Sequence, residues 1–148
     1  MKKNKTVKIV NKSNNELPEY STEGSAGLDL RAFLYEPVTI SPMERRLIPT
    51  GIHIQLPQNH EAQIRPRSGL AVKHGITVLN TPGTIDFDFI GEIKIVLINL
   101  SNQSYSIKNG DRIAQMVVNK FEKIELRGVE NLDETIRGEG GFGHTGTN

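Results

Sequence analysis

Apolar residues recur at every second position through short stretches of this chain, as in Ile52-His53-Ile54-Gln55-Leu56, and each stretch is closed by a Pro, Gly or Asn. A repeat of two is the period of a half-buried strand, so these stretches predict short strands joined by turns. Only Ser68 to His74 reads as a helix, with Ser68 as N-cap and Gly75 as the stop, and it spans about two turns. The crossover helices that a parallel sheet requires are missing. The pattern therefore predicts an all-β sandwich or barrel with jelly-roll-like crossing connections, one short helix and a single domain over 1–136.

Two stretches break the alternation. In Ile93 to Leu100, residues 93, 95 and 97 and residues 96, 98 and 100 are apolar on opposite faces, so both faces need cover, in a core or against another subunit. Ile113 to Val118 has the same two-sided character. It follows the pair Asn109-Gly110, which suits a tight turn, and a hairpin is expected from about Tyr105 to Val118.

Composition narrows the function classes. Eighteen basic against seventeen acidic side chains leave a net charge of +1, which gives no broad field to hold nucleic acid or an anionic membrane. Without cysteine there is no disulfide, thiolate zinc site or thiol nucleophile, so chemistry falls to oxygen, imidazole or guanidinium groups. No apolar run approaches the roughly 18 residues of a membrane span, and no secretory core follows the basic start, so a cytoplasmic protein is expected.

Five of the fourteen glycines fall between Gly138 and Gly146, in a tail that cannot pack by itself. Residues 137–148 are read as a flexible Gly-rich arm. Its run Gly138-Glu-Gly-Gly-Phe-Gly143 formally contains G-x-G-x-x-G, but no helix can follow it to receive phosphates, so the dinucleotide reading is rejected. Arg65-Pro66-Arg67-Ser68-Gly69-Leu70-Ala71 runs a strand into a helix start. That places the Arg67 fork, the Ser68 hydroxyl and the Gly69 amide where an anion is favoured, although an ordinary cap would look the same. In Ile85-Asp86-Phe87-Asp88-Phe89 the two carboxylates would share one strand face about 7 Å apart. They suit a metal, a water-activating base, or merely the wet side of a hairpin. Asn80 could read a base edge or serve a turn; Asp29 could meet a cation through water or cap a strand start. The histidines at 53, 60, 74 and 144 lack metal-ligand spacing, and His53 and His60 are assigned to the surface.

Taken in order, residues 26–32 (AGLDLRA), 66–71 (PRSGLA), 83–86 (GTID), 110–115 (GDRIAQ) and 137–146 (RGEGGFGHTG) resemble the five motifs of the homotrimeric dUTPases. The resemblance implies a jelly-roll-like trimer with three active sites at subunit boundaries and Mg²⁺-dependent hydrolysis of dUTP to dUMP and pyrophosphate. That chemistry would keep uracil out of DNA and supply dUMP for dTTP synthesis. It places the water-activating carboxylate on Asp86 and phosphate contacts on Arg67, Ser68, Gly69, Gln115, Arg137 and Thr145. It puts uracil in a pocket bounded by Asn80, the backbone of Thr84 and Ile85, and the strand near Lys94. Phe142, with Gly143 beside it, would close over the base, and Asp29 would touch Mg²⁺ only through water. Phe89 stands where the family usually has a tyrosine against deoxyribose, Ile90 replaces a common arginine and His144 a common serine. A dCTP deaminase and a catalytically silent nucleotide-binding trimer are the competing readings.

Overall fold

The structure, a computed structural model, describes residues 5–147. Eleven short strands and one helix follow in the order β1 (Lys8–Asn11), β2 (Leu28–Arg31), β3 (Val38–Ile40), β4 (Arg45–Pro49), β5 (Ile52–Gln55), β6 (His60–Arg65), α1 (Ser68–His74), β7 (Ile76–Val78), β8 (Gly83–Ile85), β9 (Lys94–Asn99), β10 (Tyr105–Ile107) and β11 (Arg112–Lys120). Every pairing is antiparallel, in sheets ordered β2-β11-β6-β8, β4-β9-β7, β1-β5 and β3-β10. Neighbours in a sheet are mostly distant in sequence, which is the crossing connectivity expected of a jelly-roll-like fold. Among the described residues no helix is long and apolar enough to cross a membrane.

The inward positions of the alternating strands form one core, in which Leu30, Ile40, Ile48, Ile64, Ile76, Ile95, Leu97, Ile107 and Ile113 are all but inaccessible. Isoleucine dominates because its branched Cβ fits the pleated surface, and each such burial is worth about 1.5–3 kcal/mol. The two-faced reading of 93–100 holds for most of its length: Ile93, Ile95 and Leu97 enter the core, and Ile98 is also buried. The outer face of the β4-β9-β7 sheet carries Leu47, Leu79, Val96, Ile98 and Leu100, and Leu47, Leu79 and Leu100 remain exposed in the single chain.

Two local expectations fail. Asn109-Gly110 does turn the chain, with Gly110 at φ +83° and the Asp111 N–H on the Lys108 carbonyl, but no Tyr105–Val118 hairpin forms. The turn is stitched instead to residues 32–34: Gly110 N–H donates to the Ala32 carbonyl and Leu34 N–H to Asn109 Oδ1. The strands leaving it go to different sheets, β10 to β3 and β11 to β2 and β6. The helix has the expected span and its Gly75 stop, at φ +64°, but Arg67 occupies the N-cap position and no side chain caps it. The Ser68 hydroxyl is therefore not spent on capping. Among the described residues regular structure ends at Lys120, so the stretch from 121 to the arm also lies outside the sheets.

Asn99 ties three segments together inside the core. Its amide donates to the Ile40 and Gln103 carbonyls at 2.9 and 2.7 Å, and its carbonyl accepts from the Ser101 N–H and hydroxyl at 2.9 and 2.8 Å. Asn99→Ala leaves the buried Ile40 carbonyl without this partner and should cost about 2–4 kcal/mol. The check is a urea titration at fixed protein concentration, with a lowered midpoint at unchanged slope as the expected result.

Candidate active site

The middle of the β2-β11-β6-β8 sheet builds a polar cleft. In the register of β11, Gln115 lies opposite both Asp29 on β2 and Arg65 on β6. Paired residues point to the same face, so these three polar side chains emerge together. Strict alternation along β11 would send Arg112 inward with Ala114 and Met116. A bulge prevents this: Arg112 pairs with Arg31 while Ala114 pairs with Leu30, so β11 spends one extra residue there. Ile113 and Ala114 are both buried as a result, and Arg112 returns to the Asp29 face. Beyond β6 the chain delivers Arg67, Ser68 and Gly69 to the same cleft, about 370 Å³ in volume, which is also lined by Ser25 and Gly27.

Charge in the cleft is lopsided, with Arg65, Arg67 and Arg112 set against the single carboxylate of Asp29. Asp29 Oδ1 lies 3.2 Å from Arg67 Nε and Oδ2 lies 3.3 Å from Arg112 Nη1. Both pairs are partly solvated, so each adds about 1 kcal/mol or less to stability; their effect is to orient two guanidiniums into an anion site. Gln115 is fixed as well. Its Nε2 donates to the Pro66 carbonyl at 3.1 Å, and a Cβ on Gly27 would overlap its Oε1. Nearby, burial pushes the Tyr105 phenol above its ordinary pKa, Asp111 adds to this, and Arg67 acts in the opposite sense.

A second group of expected residues gathers at the opposite edge of the sheet. Strand β8 pairs with β6, Ala62 opposite Ile85 and Ile64 opposite Gly83. Gly83 packs closely on its neighbours, since a Cβ there would lie 3.3 Å from the Ile64 Cβ and 3.4 Å from Asn80 Nδ2. The Asn80 amide is thus packed beside β8. The expected shared strand face of Asp86 and Asp88 is not present, because the strand ends at Ile85 and the chain turns, with the Phe89 N–H on the Asp86 carbonyl at 3.1 Å. Both aspartates are exposed, while Phe87 turns in against the core. Lys94 opens β9 in the other main sheet, its ammonium 3.8 Å from Glu92.

The tail forms a third group. Beyond Phe121 every hydrogen bond among the described residues stays within the segment, such as Arg137 Nε to the Gly140 carbonyl at 2.7 Å and the Gly138 N–H to Thr135 Oγ1 at 3.0 Å. Ile136 and Phe142 are fully exposed, and Gly143 and Thr145 lie in the same chain of turns. A Cβ on Gly140 would overlap the His144 ring, so that imidazole rests on the tail's own backbone.

The cleft thus unites Asp29, Arg67, Ser68, Gly69 and Gln115, while Asn80, Thr84, Ile85, Asp86 and Phe89 cluster elsewhere. In the strand order β2-β11-β6-β8, the strands bearing Asp29 and leading to Asp86 are three spacings apart, about 14 Å. Sequence reasoning missed Arg112, Ser25 and Gly27 as cleft residues. Arg112 and Gly27 stand inside the quoted 110–115 and 26–32 motifs, but only the bulge and the Gln115 packing reveal what they do. His53, assigned to the surface, donates from Nδ1 to the Ile90 carbonyl at 3.0 Å and so holds the loop after Asp86.

No described group of three or more His, Asp or Glu side chains could hold a metal ion. The cleft offers one carboxylate whose two oxygens already face guanidiniums. Such a donor set fits a Mg²⁺ that arrives on a polyphosphate and keeps its waters, reaching Asp29 through one of them.

A family model described as dUTPase matches residues 13–146. A deoxyuridine 5'-triphosphate nucleotidohydrolase from Finegoldia magna is 62% identical over 140 residues, covering 95% of this chain and 98% of its relative. One from Fusobacterium nucleatum is 56% identical over 140 residues, covering 95% and 96%. Among solved structures, a Staphylococcus bacteriophage 80alpha dUTPase mutant with dUpNHpp superposes with a TM-score of 0.88 at 25% identity, over 97% of this chain and all of that one. With a family model matched across most of its length and relatives this similar, the chain belongs to the dUTPase family.

Proposed function

We propose that this protein hydrolyses dUTP to dUMP and pyrophosphate, with dUTP entering as its Mg²⁺ complex. The cleft carries the reading: three guanidiniums against one carboxylate, beside a Ser68 hydroxyl left free of capping duty, form a site for a polyanion. The relatives, deoxyuridine 5'-triphosphate nucleotidohydrolases by name, and the dUpNHpp of the phage enzyme supply the nucleotide.

In this reading Arg67, Ser68, Gly69 and Gln115 hold the phosphate chain, and Asp29 keeps Arg67 aimed. Bound Mg²⁺ supplies charge neutralisation across the phosphate oxygens. Asp86 accepts a proton from the water that attacks the α-phosphorus in line, and the surrounding donors spread the developing charge. Asn80 and the backbone of Thr84 and Ile85 receive uracil, with the strand near Lys94 as the far wall. In this reading a backbone-lined pocket excludes the thymine methyl by volume and cytosine by mismatched donors. Arg137, Phe142, Gly143 and Thr145 come from the arm, which covers the nucleotide and excludes water.

One copy cannot assemble that site, because Asp86 lies beyond the far edge of the sheet from Asp29. A homotrimer resolves this by pairing the cleft of one copy with the Asp86 edge of a second and the arm of another. The uncovered Leu47, Leu79 and Leu100 on the β4-β9-β7 sheet, and Ile124, Leu126, Leu132 and Ile136 along the free arm, support association between copies.

Separate incubations with Mg²⁺ and dUTP, dTTP, dCTP or UTP should give pyrophosphate from dUTP alone. Ammonia from dCTP would instead establish a deaminase, and binding of dUTP without turnover a silent module. Asp86→Asn should keep dUTP binding while losing at least about a thousandfold in kcat, as expected when an activating base is removed; single-turnover assays and calorimetry separate the two. Arg67→Ala and Asp86→Asn proteins, each inactive, should regain about one quarter of wild-type activity when unfolded together and refolded at equal amounts, because about one site in four then pairs an intact Arg67 cleft with an intact Asp86 from another copy. No recovery would mean that both groups act from the same chain. Truncation after Ile136 should leave the melting temperature within about 2 °C of wild type and reduce kcat/KM about a hundredfold or more, since the arm contributes to the closed complex and not to the core.

A further inference from the structure

We propose that Gly91 is a positioning residue for the sugar subsite, a seat that fixes the height of the Phe89 ring. This rests on the dUTP reading above.

Phe89 and Gly91 sit on the loop that leads from Asp86 to β9. A Cβ on Gly91 would lie 2.6 Å from Phe89 Cζ and 2.9 Å from Cε2, well inside van der Waals contact. The ring therefore rests directly on the Gly91 backbone. Glycine is not needed there for conformational reasons, because Gly91 is absent from the residues with positive φ. Only the ring demands it.

The seat is also unable to retreat. Before it, His53 Nδ1 donates to the Ile90 carbonyl at 3.0 Å. After it, Glu92 Oε1 accepts from the Gly51 N–H at 2.9 Å, Thr50 Oγ1 donates to the Ile93 carbonyl at 2.6 Å, and the Ile93 N–H reaches the Ile52 carbonyl at 2.8 Å. Behind the ring, the Phe89 N–H is held on the Asp86 carbonyl at 3.1 Å. A methyl group added at 91 must be absorbed by the ring itself, which would move about 1 Å to reach ordinary contact distance. Phe89 is 43% exposed, so solvent beside the ring leaves it room to be displaced. In the dUTP reading the solvent side is where deoxyribose packs, and a phenylalanine, lacking the phenol of the usual tyrosine, has no hydroxyl to anchor it. Its height is then set by the seat.

The test uses the full chain. Gly91→Ala should raise the KM for dUTP about ten- to a hundredfold with a smaller change in kcat, the scale expected of an ångström misplacement beside a substrate. Inhibition by inorganic tripolyphosphate, which has phosphates and no sugar, should be unchanged. In a Phe89→Ala background the same Gly91→Ala change should have no further effect on KM, because the ring through which it acts is gone. An unchanged dUTP KM in Gly91→Ala, an equal loss of tripolyphosphate affinity, or the same loss in the Phe89→Ala background would each overturn the proposal. Should Gly91→Ala fail to fold, recovery of a folded protein in the Phe89→Ala, Gly91→Ala double variant would support the seat, and failure of both would reject it. A wild-type protein that releases no pyrophosphate from dUTP would reject the function reading, whatever the variants do.

Discussion

The register of β11 between β2 and β6 is the constraint on which the molecule depends. It sets Gln115 opposite Asp29 and Arg65, and with the bulge at Ile113 it brings Arg112 to the same face. A slip of one residue would exchange Gln115 with Met116, placing an amide in the core and a thioether in the cleft. Burial of Ile113, Ala114 and Met116 in the core opposes that slip, so the apolar side of the strand specifies the polar side. The same residues that stabilise the sheet aim the charges, and the two roles cannot be separated by mutation of the core.

The alternation of Ile52 to Leu56 and the Gly75 stop were plain in the sequence because strand period and helix termination are local properties. The failed hairpin was not. Asn109-Gly110 encodes a turn, but which strands leave it depends on partners at Ala32 and Leu34, some 75 residues away. Asp86 and Asp88 misled for a similar reason: their apolar neighbours alternate, yet Phe87 is drawn to the core from a turn and not from a strand. In the site, Arg67, Ser68, Gly69 and Gln115 were legible as motif members. The bond from Asp29 to two arginines, the bulge that creates one of them and the glycines that fit Gln115 and Phe89 are consequences of packing, to which neither spacing nor composition is sensitive.

The division of the candidate residues between sheet edges goes with how little of the chain's chemistry is buried. Asp86, Ser68, Gly69 and most of the described arm are exposed, and apart from Thr50 and Asn99 the buried side chains among the described residues are apolar. Charged groups kept on the surface avoid the desolvation penalty that burial would impose during folding. On the proposed function they would be drawn from water only when copies and nucleotide close around them, so that the cost of dehydration would be met by binding and not by the stability of the fold.

Asp29 shows how this division affects affinity. A lone carboxylate in an anion site would repel phosphate, yet here each of its oxygens is matched to a guanidinium, and the cleft as a whole stays positive. Two long side chains that would otherwise sample many rotamers are held facing one point, and ordering each such chain on binding would cost about 0.5–1.5 kcal/mol. That pre-ordering offsets part of the repulsion. On the proposed function the same balance would favour a chain of phosphates with its own divalent cation over a small anion, because the chain would contact both arginines while the cation would offset the Asp29 carboxylate.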